Sequence, residues 1–343
     1  MRIAQIAPLW ERVPPPGYGG IELVVSHLTD ELVRRGHEVT LFASGDSKTL
    51  AKLESVVPEA LRLNPEIKEP FIYEMLQLAQ IVDKASEFDI VHFHTGLTAL
   101  PFEKVIDTNV LHTLHGRFTT DNVKLFDRYK YQPFSSISNS QREGGPELNY
   151  VGTVYNGIDA DAYPFCEKPQ DPPYLAFLGR MSPEKGPHLA VEIAKRTGWN
   201  LRMAGKIDVV DKKFYEQEIE PLLDGEQIQY LGELSHEEKA ALLGGASATL
   251  FTITWPEPFG LVMIESMAAG TPVIGMKMGS VPEVIAHGKS GYICTSVEEA
   301  IEAVPKAIAL NRRDCRQHVE DRFTVAKMTD AYEVAFQKIM EGK

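Results

Sequence analysis

Apolar positions along the chain fall into two alternating periods. Short runs at residues 2–7, 38–43, 90–93 and 110–114 are mainly apolar with few polar interruptions, the pattern of strands buried on both faces. Between them apolar residues recur every three or four positions. Val24, Val25, Leu28, Leu32 and Val33 mark a helix over 21–35, and Ile72, Met75, Leu76, Ala79 and Val82 mark the face of another. A helix near 97–106, a run at 135–139, a short helix near 141–148 and the turn-rich stretch 152–159 complete this half. The alternation restarts at Tyr174. Strands are expected at 174–178, 200–204, 228–231, 248–251 and 272–276, and helices at 187–197, 212–223, 237–243 and from Phe259 onward, with two more closing the chain. Strand and helix in strict alternation predict α/β domains of the Rossmann type.

A length of 343 residues suits two such domains better than one core. Prolines and charges between Asp161 and Pro173 read as a linker. The expected division is therefore 1–160, then 161–322, with 323–343 as a last helix. At 43% hydrophobic and 24% charged residues the composition is that of a soluble globular protein. No apolar run is long enough to cross a bilayer, and the start reads as a first strand, so action in the cytoplasm is expected. Cys166, Cys294 and Cys315 stand apart without ligand spacing, which favours free thiols. The net charge of −13, shared as −6 and −7 between residues 1–160 and the remainder, argues against a nucleic-acid partner. It leaves room for peripheral membrane contact through a local patch.

Candidate chemistry concentrates in the stretch WPEPFGLVMIESMAAGTPV, residues 255–273. Pro256 and Pro258 hold Glu257 in a stiff loop, and a helix can begin only after them. The first turn, Phe259, Gly260 and Leu261, has N–H groups without intrahelical partners, which suits an anion. Glu265 sits ~9 Å further along the axis, the reach from a diphosphate to a sugar hydroxyl. A second cationic loop, Gly179-Arg180-Met181-Ser182-Pro183-Glu184-Lys185-Gly186, joins a strand to a helix and suits phosphate oxygens. Near the start, Gly17, Gly19 and Gly20 precede a helix without a G-x-G-x-x-G fingerprint, which disfavours an NAD dehydrogenase. His92 with His94 and His112 with His115 end two strands. The first pair shares a face, the second does not, and no further ligand is spaced for zinc. Asp159 and Asp161 form a DxD beside Asn156-Gly157, where turn residues explain it better than a metal site.

The patterns E-P-F-G-L-x-x-x-E and G-R-x-x-x-E-K-G, together with Gly19-Gly20, His115-Gly116 and the loop Gly279-Ser280-Val281-Pro282-Glu283, resemble the retaining family 4 glycosyltransferases. Here Ser280 stands at the second position of that family's G-G-x-P-E loop. The resemblance covers nearly the whole chain. It implies the GT-B fold, two Rossmann-like domains facing each other across a donor cleft, with the last helix packing back on the N-terminal domain. It implies a nucleotide-diphosphate sugar as donor substrate, UDP-sugar favoured and GDP- or ADP-sugar allowed. The acceptor would be a hydroxyl on a sugar, glycolipid or small molecule, with neither metal nor separate cofactor. By the same resemblance Arg180, Lys185 and the amides of Phe259, Gly260 and Leu261 take the diphosphate. Glu265 takes the ribose, Glu257 the donor-sugar hydroxyls, and His115 the sugar side near the reacting carbon. Gly19, Gly20 and Gly179 let the backbone approach the donor. A phosphorylase or epimerase on the same fold and a nucleotide-sugar binding protein without turnover are the alternatives. All five of His115, Arg180, Lys185, Glu257 and Glu265 are present, which disfavours the last.

Overall fold

The computed structural model describes residues 1–17 and 19–342. Tyr18, in the glycine loop 14–20, and Lys343, at the end of the expected last helix, lie outside the described residues. The chain divides into two compact units, Met1–Gly157 together with Val325–Lys343, and Ile158–Thr324.

Each unit is built on one parallel sheet. In the first, β1 (Arg2–Ile6), β2 (Glu38–Phe42), β3 (Lys52–Glu54), β4 (Ile90–Phe93), β5 (Asn109–Leu114), β6 (Pro133–Ser136) and β7 (Asn149–Thr153) run in the order β3-β2-β1-β4-β5-β6-β7. In the second, β8 (Tyr174–Leu178), β9 (Asn200–Ala204), β10 (Ile228–Tyr230), β11 (Ala248–Phe251), β12 (Val273–Met276) and β13 (Gly291–Cys294) run β10-β9-β8-β11-β12-β13. The order reverses direction between β1 and β4 and again between β8 and β11. Loops leaving the carboxyl ends of strands part there and open a crevice. The glycine loop follows β1, and the 179–186 loop follows β8. Both sit at a reversal because the first strand of each unit is the central one.

The named helices are α1 (Gly20–Arg34), α2 (Pro70–Lys84), α3 (Asn122–Arg128), α4 (Pro187–Thr197), α5 (His236–Gly245), α6 (Leu261–Ala268), α7 (Val297–Ile308), α8 (Arg312–Arg322) and α9 (Val325–Met340). The first unit's core packs Ile6, Phe42, Val91 and Phe93 against Leu78 and Ile81 of α2. That corrects the expected face of α2. Ile72 and Leu76 are exposed, while Gln77 turns inward and donates to the carbonyls of Ala7 and Phe42 at 3.1 and 3.2 Å. Three helices close the chain instead of two. The last, α9, belongs to the first unit, where Arg35 at the end of α1 holds Asp330 at 2.8 Å and Glu333 at 2.6 Å.

Residues 161–173 are not a free linker. Cys166 N–H bonds Ala269 O at 3.0 Å, Gln170 N–H bonds Gly245 O at 2.8 Å, and Arg312 donates to Cys166 O at 2.6 Å, so the segment is packed into the second unit. Asp159 caps the short turn 160–162 by accepting from Asp161 N–H at 3.1 Å, the turn role expected of it. The helix expected over 212–223 is broken into a helical turn, a wide π turn and a 3-10 turn, Glu220–Leu222, that carries Pro221. Near 97–106 and 141–148 only 3-10 turns form, Leu100–Val105 and Ser140–Arg142. Cys294 and Cys315 are buried free thiols and Cys166 a half-buried one.

Four histidines lie in the first unit at the ends of β4 and β5. Burial pushes His112 and His115 down to about 4 and holds His92 and His94 well below the usual imidazole value. Folding therefore keeps them neutral where the unfolded chain would take up protons. Stability is complete above the ordinary histidine value of about 6.5 and is lost as pH falls toward the folded values. Differential scanning calorimetry across pH 7 to 4 should show a falling Tm with proton uptake on unfolding. A flat profile above pH 5 would contradict this.

Candidate active site

In the second unit the site begins where β8 ends. Gly179 N–H bonds Ala204 O at 3.0 Å and Met181 N–H bonds Lys206 O at 2.9 Å, which hangs the loop on the end of β9. Pro183–Lys185 then make one 3-10 turn, and Gly186, at φ 69°, leads into α4 with Pro187 at its first position. Gly186 lies so close to the strand-end segment after β11 that an added Cβ would stand 1.9 Å from the Thr252 carbonyl oxygen. The two loops are tied to each other: Thr252 Oγ1 donates to Gly186 O at 2.8 Å and Thr254 N–H to Glu184 O at 2.9 Å.

This tie brings the two sequence motifs together. Lys185 Nζ meets Glu257 Oε2 at 2.5 Å, and Trp255 Nε1 donates to the same oxygen at 2.7 Å. The ammonium also stands 5.2 Å from the centre of the Trp255 ring. Arg180 is held by Glu184, by Asp208 at 3.4 Å and by Asp211 at 3.5 Å, while Lys206 pairs with Asp208. Burial raises the Asp211 carboxyl, whereas its basic partners outweigh burial and hold Asp208 low.

The following helix starts later than the sequence suggests. Gly260 takes the left-handed conformation, φ 80°, so α6 begins at Leu261 and not at Phe259. The Phe259 ring is buried edge-on against Phe323 at 5.9 Å, and its carbonyl accepts from Ser280 Oγ at 2.6 Å. Ser280 N–H bonds Glu257 O at 3.0 Å, so the serine that departs from the family's second glycine braces this stretch. Glu265 is 5% exposed and accepts from the Tyr163 hydroxyl at 2.8 Å. Burial and the adjacent carboxylate both raise the Tyr163 hydroxyl, which keeps it a donor.

In the first unit Gly19 caps α1, with Leu23 N–H on its carbonyl at 3.1 Å, and Gly20 opens the helix. Glu22 in that turn is buried, which pushes its carboxyl up to about 7. His115 follows β5 and meets His94 after β4: His94 Nδ1 and His115 Nε2 are 2.8 Å apart, and His94 Nε2 lies 2.9 Å from Gln5 Oε1. Among the described residues no group of three or more His, Cys, Asp or Glu is arranged to hold a metal ion. Sequence reasoning missed the supporting side chains. Glu184 and Trp255 lie inside the two motif stretches but were given no role there, and Asp208, Asp211, Tyr163 and Gln5 carry no motif of their own; Tyr163 fell in the expected linker.

Each unit is a doubly wound parallel sheet with a loop at its reversal, the second of them cationic, and the comparisons name the class. Residues 18–143 match the family described as Glycosyltransferase Family 4, and residues 164–321 match Glycosyl transferases group 1. The chain belongs to these glycosyltransferases and has the GT-B fold. It is 27% identical to the glycogen synthase of Mycobacterium tuberculosis, over 96% of this chain and 93% of that one. It is 24% identical to the N-acetyl-alpha-D-glucosaminyl L-malate synthase of Bacillus anthracis, over 95% of each. Among solved structures, sucrose-phosphate synthase of Thermosynechococcus elongatus is similar with a TM-score of 0.80 at 17% identity, over the whole of both chains. Anabaena HepE, solved in complex with UDP and glucose, is similar with a TM-score of 0.73 at 21% identity, over 98% of this chain and 100% of that one.

The backbone tie at Gly186 joins the loop after β8 to the segment after β11. Gly186→Ala forces its Cβ onto the Thr252 carbonyl in a conformation that L residues rarely adopt, at a cost of about 2–4 kcal/mol. Chemical denaturation should report that loss. Wild-type stability in the variant would mean that the two loops are not locked together.

Proposed function

We propose that the protein is a retaining glycosyltransferase that moves a sugar from a nucleotide-diphosphate sugar, UDP-sugar first, to an acceptor hydroxyl without a metal. The observation that carries the reading is the contact of Lys185 with Glu257, which joins a phosphate-type cation to a sugar-type carboxylate in one site. As the bond from the anomeric carbon to the diphosphate breaks, negative charge grows on the leaving oxygen and positive character on the sugar ring. Arg180, Lys185 and the first free N–H groups of α6 would take the former. Glu265, held by Tyr163, would accept from ribose hydroxyls and Glu257 from those of the transferred sugar. A diphosphate would compete for the Lys185 ammonium, which would free the Glu257 oxygen for a hydroxyl while Trp255 keeps it in place. The proton of the acceptor hydroxyl would leave with the diphosphate.

The donor preference rests on the HepE complexes, which hold UDP, UDP with glucose, or UDP-glucose. Two cations and a helix N-terminus around the diphosphate favour turnover that excess EDTA leaves unchanged. Incubation with UDP-, GDP- and ADP-sugars, read as release of the nucleotide diphosphate, tests the class. Release from none of them, with or without an acceptor mixture, would overturn the reading.

The two glutamates should fail differently. Glu265→Gln should weaken binding of the free nucleotide diphosphate by roughly 1–3 kcal/mol, since it loses charged hydrogen bonds to hydroxyls. Glu257→Gln should leave that affinity nearly intact while transfer falls, because the free diphosphate carries no sugar. Calorimetry and initial rates on the same two variants decide it. The reverse pattern would exchange the roles.

A further inference from the structure

Gln5 is a fully buried amide in the central strand β1, flanked by Ala4 and Ile6, which are also fully buried. Among the described residues its Nε2 has no hydrogen-bond partner, while its Oε1 lies 2.9 Å from His94 Nε2. An orphaned buried amide group costs about 1–3 kcal/mol, so core packing alone gives no reason for a glutamine there. His94 is 2% exposed and spends its other nitrogen on His115 Nε2 at 2.8 Å.

We propose that Gln5 and His94 form a proton-ordering relay that fixes the tautomer of His115, so that His115 presents an unprotonated Nδ1 to the donor sugar. The chain of bonds has one direction. The Gln5 carbonyl oxygen can only accept, so His94 carries its proton on Nε2, and a neutral imidazole then has a bare Nδ1. That nitrogen accepts from His115 Nε2–H, and the lone pair of His115 is left on Nδ1. Burial keeps His115 neutral, down to about 4, so its ring brings no cation to a sugar that itself turns positive. Nδ1 accepts from a sugar hydroxyl and raises that oxygen's electron density as the ring charge grows. His94 and Gln5 are positioning residues and touch no substrate. The catalytic consequence rests on the place near the donor sugar that the family resemblance implies for His115; the tautomer itself does not.

The test uses the full chain labelled with ring-15N histidine, with His115→Ala to assign the His115 signals. The ligand-free protein should show His115 protonated on Nε2 and bare on Nδ1. His94→Leu should lose that single tautomer and lower kcat roughly 10-fold with donor KM changed less than about 2-fold. His94→Asn, whose amide oxygen stands near the place of Nδ1, should restore the tautomer and bring kcat within about 3-fold of wild type. Thermal melts of the two variants separate this from a folding defect, because packing alone predicts no rescue by the more polar side chain. A proton on His115 Nδ1 in the wild type, or equal kcat in the Leu and Asn variants, would overturn the relay. Unchanged kcat in His115→Ala would instead sink the role of His115 at the sugar, and with it the catalytic consequence.

Discussion

The close approach of Gly186 to the Thr252 carbonyl is the constraint on which the second unit's site depends. No side chain fits between these two backbones, and their mutual hydrogen bonds lock the loop after β8 onto the segment after β11. Both segments leave the sheet at its reversal, so the fold supplies the opening and the glycine closes the distance. Lys185 and Glu257, 72 positions apart in sequence, are brought within reach of each other by this tie, and Trp255 then holds the Glu257 carboxylate in place.

Charge is arranged in the same economical way. Arg180 and Lys185 do not wait as bare cations: carboxylates of Glu184, Asp208, Asp211 and Glu257 hold them. Cations partly desolvated in a loop need such partners, and the partners fix where a diphosphate would find them. Exchange of one anion for another is a smaller step than desolvation of free ammonium and guanidinium groups. In the first unit the opposite device operates. Burial strips charge from four histidines, and two of the neutral rings, His94 and His115, share a hydrogen bond.

Much of this was legible in the sequence where a period or a motif carried it. Strands β4, β8, β9 and β11 fall where continuous apolar runs put them, and α4 begins at its proline and ends before Gly198. Three of the edge strands were not legible: β3, β7 and β13 are three to five residues long and only partly buried, whereas β10 falls within the run expected at 228–231. The face of α2 was misjudged because its apolar residues outnumber those its core can cover, and Gln77, polar by type, is the one turned inward. Of the site, the motif residues could be read, since Arg, Lys, Glu and Gly at set spacing have a chemical meaning. The side chains that hold them could not. Tyr163 on Glu265 and Gln5 on His94 are long-range contacts, at separations of 102 and 89 residues, which no local pattern encodes.

In the proposed reaction the diphosphate of the donor binds at Lys185 and releases Glu257 for the sugar. The decisive comparison is a crystal structure with a nucleotide diphosphate bound against one holding a hydrolysis-resistant donor sugar. Lys185 Nζ is expected within hydrogen-bond distance of a phosphate oxygen in both, and Glu257 on a sugar hydroxyl in the second. A diphosphate seated elsewhere, with the Lys185–Glu257 pair intact, would contradict it.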